Sequence, residues 1–427
     1  MNSVEIYTGA WHGDSSSYLT FPESWDVHVI GDNPGPALEV EAMQQRMLQP
    51  IGTERLASLA RGCASAAIVI DDISRPTPTA DLLPLVLDEL EEGGIPASAT
   101  KIVIAAGGHE PASDDDNIKK LGVETAARVR WELHDPDGDL VHVGQSPSGI
   151  PLHVNRTVMN ADLKIGIGSL TPHDGAGFSG GSKILVPGVA GTQTARYLHD
   201  FLKGAKFRGG SIDNDFRREL DIITGELGLN FIVNVILNHR RQVAELFAGD
   251  RVLAHREGSR RAAELFEVVV PTDADIVVAN TYPFDANLWF VPWGTWPLMS
   301  TRPEVTRVAL ADGSQGAGSH RLKPTELGFL GRAWVRFRTL RPRHVLKQVR
   351  HLVTSLTRTR SRKMLDFLMV CPNISEEDMA LRFPAATLYR SWNDLQKELE
   401  SRYGDRAVKV AVLPCAPLQF EKKNQGD

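Results

Sequence analysis

HDGAGFSGGSKILVPG, residues 173–188, holds the pattern G-x-G-x-x-G in GAGFSG, and its reading decides the fold. A dinucleotide-binding loop needs a strand before it, a helix opening within it, and an acid about 20 residues on, at the end of a second strand. The strand is present in ADLKIGIG, residues 161–168. The helix is not: Pro187 and Gly188 break one soon after Gly180. The acid at the right offset, Asp200, sits in TARYLHDFLKG, which reads as helix. A Walker A loop also fails, because Lys183 is followed by Ile184 and separated from Gly181 by Ser182. What remains is an open glycine loop that presents His173 and Lys183, with main-chain N–H groups able to approach an anion. Beside Ile184, Leu185 and Val186, Lys183 reads either as a desolvated nucleophile of lowered pKa or as a solvated surface charge.

Outward from the loop, Val- and Ile-rich runs at 66–71, 101–106, 161–168, 275–280, 305–311 and 408–413 read as strands. Helices are expected at 80–92, 194–203, 215–226, 250–266 and 392–402. Strands alternating with helices predict an α/β fold: two α/β domains with mostly parallel sheets and the active site in the cleft between them. At 427 residues the chain has room for them. The expected boundaries are 1–268 for a cofactor-binding and catalytic domain and 269–407 for a second α/β domain. Residues 408–427 form a terminal strand and tail that either half can take.

A net charge of −6 gives no nucleic-acid footprint to the chain as a whole. Cys63, Cys371 and Cys415 are too few and too scattered for a disulfide framework or a cysteine zinc site. No signal peptide and no run of 18 apolar residues is present, so the expectation is a soluble cytoplasmic protein without membrane partners. Residues 321–363 carry thirteen Lys and Arg against one acid, Glu326. They read as a solvated amphipathic helix pair or as a surface for an anionic partner.

Three more clusters carry chemistry. In DDISRPTP, residues 71–78, a strand ends and turns at once, which places Asp72 and Arg75 at a site mouth. Arg75 offers a planar fork for a carboxylate or phosphate; the bland reading is an Asp–Arg pair bracing a turn. In AAGGHEP, residues 105–111, His109 stands at another strand end, placed for proton transfer or for a structural hydrogen bond. In GVAGTQTARYLHD, residues 188–200, Thr194 reads as a helix N-cap and His199 as a helix residue that is either a metal ligand or a satisfied surface or core histidine.

Taken together, Asp72-x-x-Arg75-Pro76, Gly108-His109, His173 with GFSGGSK, and GVAGTQTARYLH resemble the nickel-dependent lactate racemase family. VCPNISEEDM, residues 370–379, and the closing VAVLP also look like its C-terminal half. The resemblance implies a nickel-pincer nucleotide, a pyridinium mononucleotide with two sulfur-bearing arms, held covalently by Lys183 through a thioamide. Gly177, Ser179, Gly180 and Gly181 would give room for its flat ring and phosphate, and His199 would ligate a square-planar nickel. It further implies reversible hydride transfer from C2 of a 2-hydroxy acid, with His109 and His173 as the two bases, one per enantiomer. Arg75 would hold the substrate carboxylate and Asp72 would orient a His or Arg75. The implied partners are a small-molecule substrate and, transiently, cofactor-synthesis proteins.

One departure matters. Where the family carries a Gln and, three residues on, a Lys that contact substrate, this chain has Phe290 and Trp293 in YPFDANLWFVPWG, residues 282–294. Trp289, Phe290, Trp293 and Trp296 then read either as a wide apolar wall, with an expected substrate bulkier or more apolar than lactate, or as core residues with the polar contacts supplied from elsewhere. The competing readings are an NAD-dependent oxidoreductase using GAGFSG and a catalytically inactive nucleotide-binding homologue.

Overall fold

The computed structural model describes residues 2–31, 34–202, 209–299, 301–319 and 366–422. The basic segment 321–363 lies outside the described residues.

Two six-stranded sheets dominate. The first runs Val243–Gly249, Leu229–Leu237, Leu163–Ser169, Ala66–Asp71, Thr100–Ala105, Arg130–Leu133, with only the first pair antiparallel. The AAIVID strand is apolar up to its last residue, Asp71, because both faces are covered. Ile68 and Ile70 pack on one side with Leu83 and Val86 of helix Thr79–Glu92. Val69 faces the other side with Leu185, Val189 and Leu220. The second sheet is wholly parallel in the order Thr387–Tyr389, Leu368–Val370, Thr306–Leu310, Ile276–Asn280, Lys409–Leu413, Asp26–Val29. A core cluster joins Phe178, Ile236 and Phe247 to Tyr282, Phe284, Phe290 and Leu418, so the first sheet shares apolar contacts with the segments that follow strands of the second.

All six expected strands and all five expected helices are present, with small shifts at their ends. Sheet membership departs from chain order. Strand Asp26–Val29, ahead of the first sheet in sequence, is the edge of the second, and Lys409–Leu413 lies between it and Ile276–Asn280. DVHV has a mostly exposed pattern, so no apolar run announces it. Strands Leu229–Leu237 and Val243–Gly249 were also not legible: the first is interrupted by Asn230 and Asn234, and the second, VAELFAG, is rich in helix formers.

In the first sheet, Ala66–Asp71 lies between Leu163–Ser169 and Thr100–Ala105. The chain leaves it toward one neighbour and returns later on the other side, which makes a switch point at the carboxyl ends of these strands. The DDISRP, AAGGHEP and glycine loops all start there.

Candidate active site

Asp72 is 3% exposed. Its Oδ2 lies 2.9 Å from His109 Nδ1, and its Oδ1 accepts from Ser74 Oγ at 2.7 Å. Burial alone would raise the Asp72 carboxyl; His109, Arg75 and Ser74 outweigh it and hold the pKa below its ordinary value. On the other side of the ring, Arg75 Nη2 is 3.0 Å from His109 Nε2. A guanidinium only donates, so Nε2 accepts and Nδ1 carries the proton toward Asp72. His109 therefore stands in the tautomer of a general base whose back is braced by a carboxylate.

Arg75 is enclosed by aromatic faces. Its guanidinium carbon is 4.7 Å from the centre of Trp293, 5.2 Å from Phe290 and 5.9 Å from Phe284. Phe290 also meets the His109 ring edge-on at 5.4 Å, and Trp293 meets His173 at 6.2 Å. The two divergent positions thus stand against the catalytic candidates. Trp289 and Trp296 do not form the same wall. Trp289 lies under the Arg382 guanidinium at 4.3 Å, and Trp296 donates to the Ala416 carbonyl at 2.8 Å against the second sheet's core. A small hollow of about 20 Å³, room for roughly one water, lies among Trp11, His12, Ser74, Asn287, Phe290 and Gln315.

The glycine loop brings His173 and Lys183 together, with Nε2 and Nζ 2.8 Å apart. Burial, then Arg75 and Arg217, push the Lys183 pKa well below the usual lysine range, which favours the desolvated reading over the surface one. His173 is likewise pushed down by burial, then by Lys183, Arg75, Arg217 and His199. No helix opens from GAGFSG: Gly181–Ile184 is a single 3-10 turn, and the next helix begins at Thr192. The structural premise of an NAD loop is therefore absent.

The glycines have a reason other than clearance for a ring. Gly177 and Gly180 have positive φ, +77° and +71°. A Cβ on Gly177 would sit 1.6 Å from the Ser211 carbonyl oxygen, and one on Gly180 2.9 Å from Asn234 Oδ1. Gly181 is pressed against His255, and its N–H donates to Asn234 Oδ1 at 2.9 Å. Ser179 Oγ accepts from the Thr171 N–H at 2.8 Å and donates to the Ser169 carbonyl. These four residues shape the loop by packing on the protein itself.

Helix Thr192–Leu202 carries His199, whose Nδ1 donates to the Ala195 carbonyl at 2.8 Å. That bond puts the lone pair of the neutral ring on Nε2, the arrangement of a metal-binding imidazole. Thr194 is not the cap: its hydroxyl lies in the third position of the helix and donates to the Pro151 carbonyl at 2.8 Å, tying helix to strand.

Sequence reasoning missed three supports. Arg217, 1% exposed, donates to the carbonyls of Phe178 and Gly180 and holds the loop from beneath. Asn234 fixes the Gly180–Gly181 turn; a polar residue inside LNFIVNVIL was its one signal. Lys120, fully buried, donates to the carbonyls of Arg75 and Thr77 at 2.9 Å each and forms an ion pair with Asp71 at 2.7 Å. Nothing in DDDNIKKL distinguishes it from Lys119.

Residues 12–207 match the lactate racemase N-terminal domain. The lactate racemase of Thermoanaerobacterium thermosaccharolyticum is 32% identical over 258 residues, 59% of this chain and 60% of that one. The lactate racemase of Lactiplantibacillus plantarum is 30% identical over 284 residues, 65% of this chain and 66% of that one. The chain belongs to the lactate racemase family. It matches 60% and 66% of the length of these two curated relatives. The solved lactate racemase apoprotein of T. thermosaccharolyticum superimposes with a TM-score of 0.72 at 25% identity, over 99% of this chain and 100% of that one. A crystal structure of a Thermotoga maritima protein shares the fold, with a TM-score of 0.61 at 18% identity over 91% and 99% of the two chains. The mixed α/β architecture of this family member, with its mostly parallel sheets, is thus that of a lactate racemase. Among the described residues no helix is long and apolar enough to cross a membrane.

Proposed function

We propose that the protein interconverts the enantiomers of a 2-hydroxy acid whose substituent is bulkier or more apolar than that of lactate. The observation that carries this is the convergence of Arg75, His109, His173 and Lys183 at one buried site in a chain of this family. The cofactor we propose is a nickel-pincer nucleotide tethered to Lys183, with His199 as the protein ligand to nickel. The residues fit that group. Among the described residues no three His, Cys, Asp or Glu side chains converge on a metal position, so a metal at His199 needs donors from a bound group. Lys183 faces cations rather than carboxylates, which suits an amine that is to become an uncharged thioamide.

When bound, the cofactor supplies a reversible hydride acceptor for C2 of the substrate. The protein residues do the rest. Arg75 takes the carboxylate, and in doing so leaves His109 Nε2 to the substrate hydroxyl. His109 accepts the hydroxyl proton, and Asp72 stabilises the imidazolium. His173 serves the opposite enantiomer. Phe290 and Trp293 exclude water around Arg75 and present apolar faces to the substrate's substituent. A cytoplasmic location and transient contact with cofactor-synthesis proteins belong to the same proposal.

Intact-protein mass spectrometry after co-expression with cofactor-synthesis proteins tests it. An adduct mapped to Lys183 together with stoichiometric nickel supports the reading; unmodified Lys183 without nickel overturns it. A substrate panel tests the specificity: lactate turning over as fast as every aryl or branched hydroxy acid removes the apolar-substituent claim. Solvent deuterium is expected to stay out of C2, and its rapid incorporation would point to carbanion chemistry.

A further inference from the structure

His109 and His173 share a site, yet their hydrogen bonds demand opposite tautomers. His173 Nδ1 accepts from two backbone N–H groups, those of Gly175 and Ala176, each at 3.1 Å. A nitrogen facing two donors cannot carry a proton of its own, so the proton of the neutral ring is on Nε2. Nε2 lies 2.8 Å from Lys183 Nζ. An ammonium only donates and has no lone pair for that proton. The contact is a hydrogen bond only if Lys183 is an uncharged amine. The surroundings agree: burial first, and then the charges of Arg75 and Arg217, disfavour the ammonium form of Lys183.

We infer that, before any cofactor is attached, Lys183 rests as an uncharged amine held by the Nε2 proton of His173, while His109 rests in the opposite tautomer. The two histidines are then not interchangeable in the free protein: His109 is the proton acceptor and His173 the donor. His173 is thereby a positioning residue for Lys183. Its hydrogen bond fixes the uncharged amine, whose lone pair is free to attack an acyl carbon once that bond is released. An acylated Lys183 nitrogen would no longer accept, because its lone pair is delocalised into the new amide. His173 would have to change tautomer and give up the Gly175 and Ala176 contacts before it acted as a base. The inference stands on donor and acceptor geometry, so it holds or fails separately from the racemase reading.

The test uses full-length apoprotein from a host without the cofactor-synthesis proteins, labelled briefly with acetic anhydride between pH 6 and pH 9. The amine nitrogen bonds to one carbonyl carbon, acetate leaves, and the proton goes to buffer. Peptide mass spectrometry reads the rate at each lysine. An exposed lysine, with a pKa of about 10.4, reacts about a hundredfold faster at pH 9 than at pH 7. The Lys183 rate is expected to be flat over that range, and a hundredfold rise would overturn the inference. Long-range proton–nitrogen NMR of histidine-labelled protein reads the tautomers directly, with His109→Gln assigning one signal. His173 should show a bare Nδ1 and His109 a protonated one; the same tautomer for both overturns the inference. Should burial keep the anhydride from Lys183, the NMR result decides alone.

Discussion

Replacing Lys120 with Met should destabilise the first sheet by about 3–5 kcal/mol, the range for removing one partner of a buried ion pair. The magnitude has two parts. Asp71 is left without its counter-charge in a site where burial already raises its pKa. The carbonyls of Arg75 and Thr77 lose a donor, at about 1–3 kcal/mol for each one left unsatisfied. Burial lowers the Lys120 pKa just as it raises that of Asp71, so desolvation exceeds mutual attraction for both. The double variant Lys120→Met, Asp71→Asn should therefore recover a substantial share of the loss, since neither member of the pair is left as an unpaired charge. The assay is urea denaturation followed by tryptophan fluorescence, comparing midpoints at unchanged slope. A Lys120→Met cost below about 1 kcal/mol, the worth of an ordinary exposed pair, refutes the reasoning. So would a double variant less stable than the single one, because the charge left on Asp71 would then not be the source of the loss.

Other outcomes are as definite. Asp285 is fully buried and its pKa is pushed up to about 7, mainly by burial against the Gly9 and Ala10 N–H bonds. Its folded-state value lies above the unfolded value of about 3.9, so it contributes stability that is lost as pH rises between the two. Melting temperatures from pH 4.5 to pH 8 should show a fall that flattens in Asp285→Asn, and an identical profile for the variant counts against it. Gly177→Ala should cost at least about 3 kcal/mol, from the Ser211 clash added to positive φ, whereas Gly62→Ala, with φ +83° and open space, should cost only about 1–2. Equal melting temperatures for the two would show that the loop is not packed as described. Restoring polarity with Phe290→Gln and Trp293→Lys should raise the ratio of lactate to aryl-hydroxy-acid kcat/KM at least about tenfold, or about 1.4 kcal/mol. An unchanged ratio removes these two residues from substrate selection.

Much of the site was legible because it lies in short continuous motifs at strand ends. Asp72, Arg75 and His109 follow apolar runs whose carboxyl ends had to face a crevice, and they do meet there. Thr194 misled because its capping chemistry is spent on a strand that is remote in sequence. Trp289 and Trp296 misled because spacing alone does not say which of four nearby aromatics turns toward Arg75.

HDGAGFSGGSKILVPG by itself weighed against a nucleotide-binding helix, since Pro187 and Gly188 act locally whatever surrounds them, and the single 3-10 turn there settles it. It also placed His173 and Lys183 in one loop. The alternation of apolar runs and helices was enough for α/β layers, because that pattern depends only on burying faces of regular elements. Only the tertiary structure decided why the glycines are there, which side chains neutralise Lys183, and which tautomer each histidine holds. Those depend on Ser211, Asn234, Arg217 and Asp72, whose distance from the loop along the chain says nothing of their distance in space. The same holds for strand Asp26–Val29, four residues whose place in the second sheet is set by the backbone of Lys409–Leu413 rather than by their own pattern.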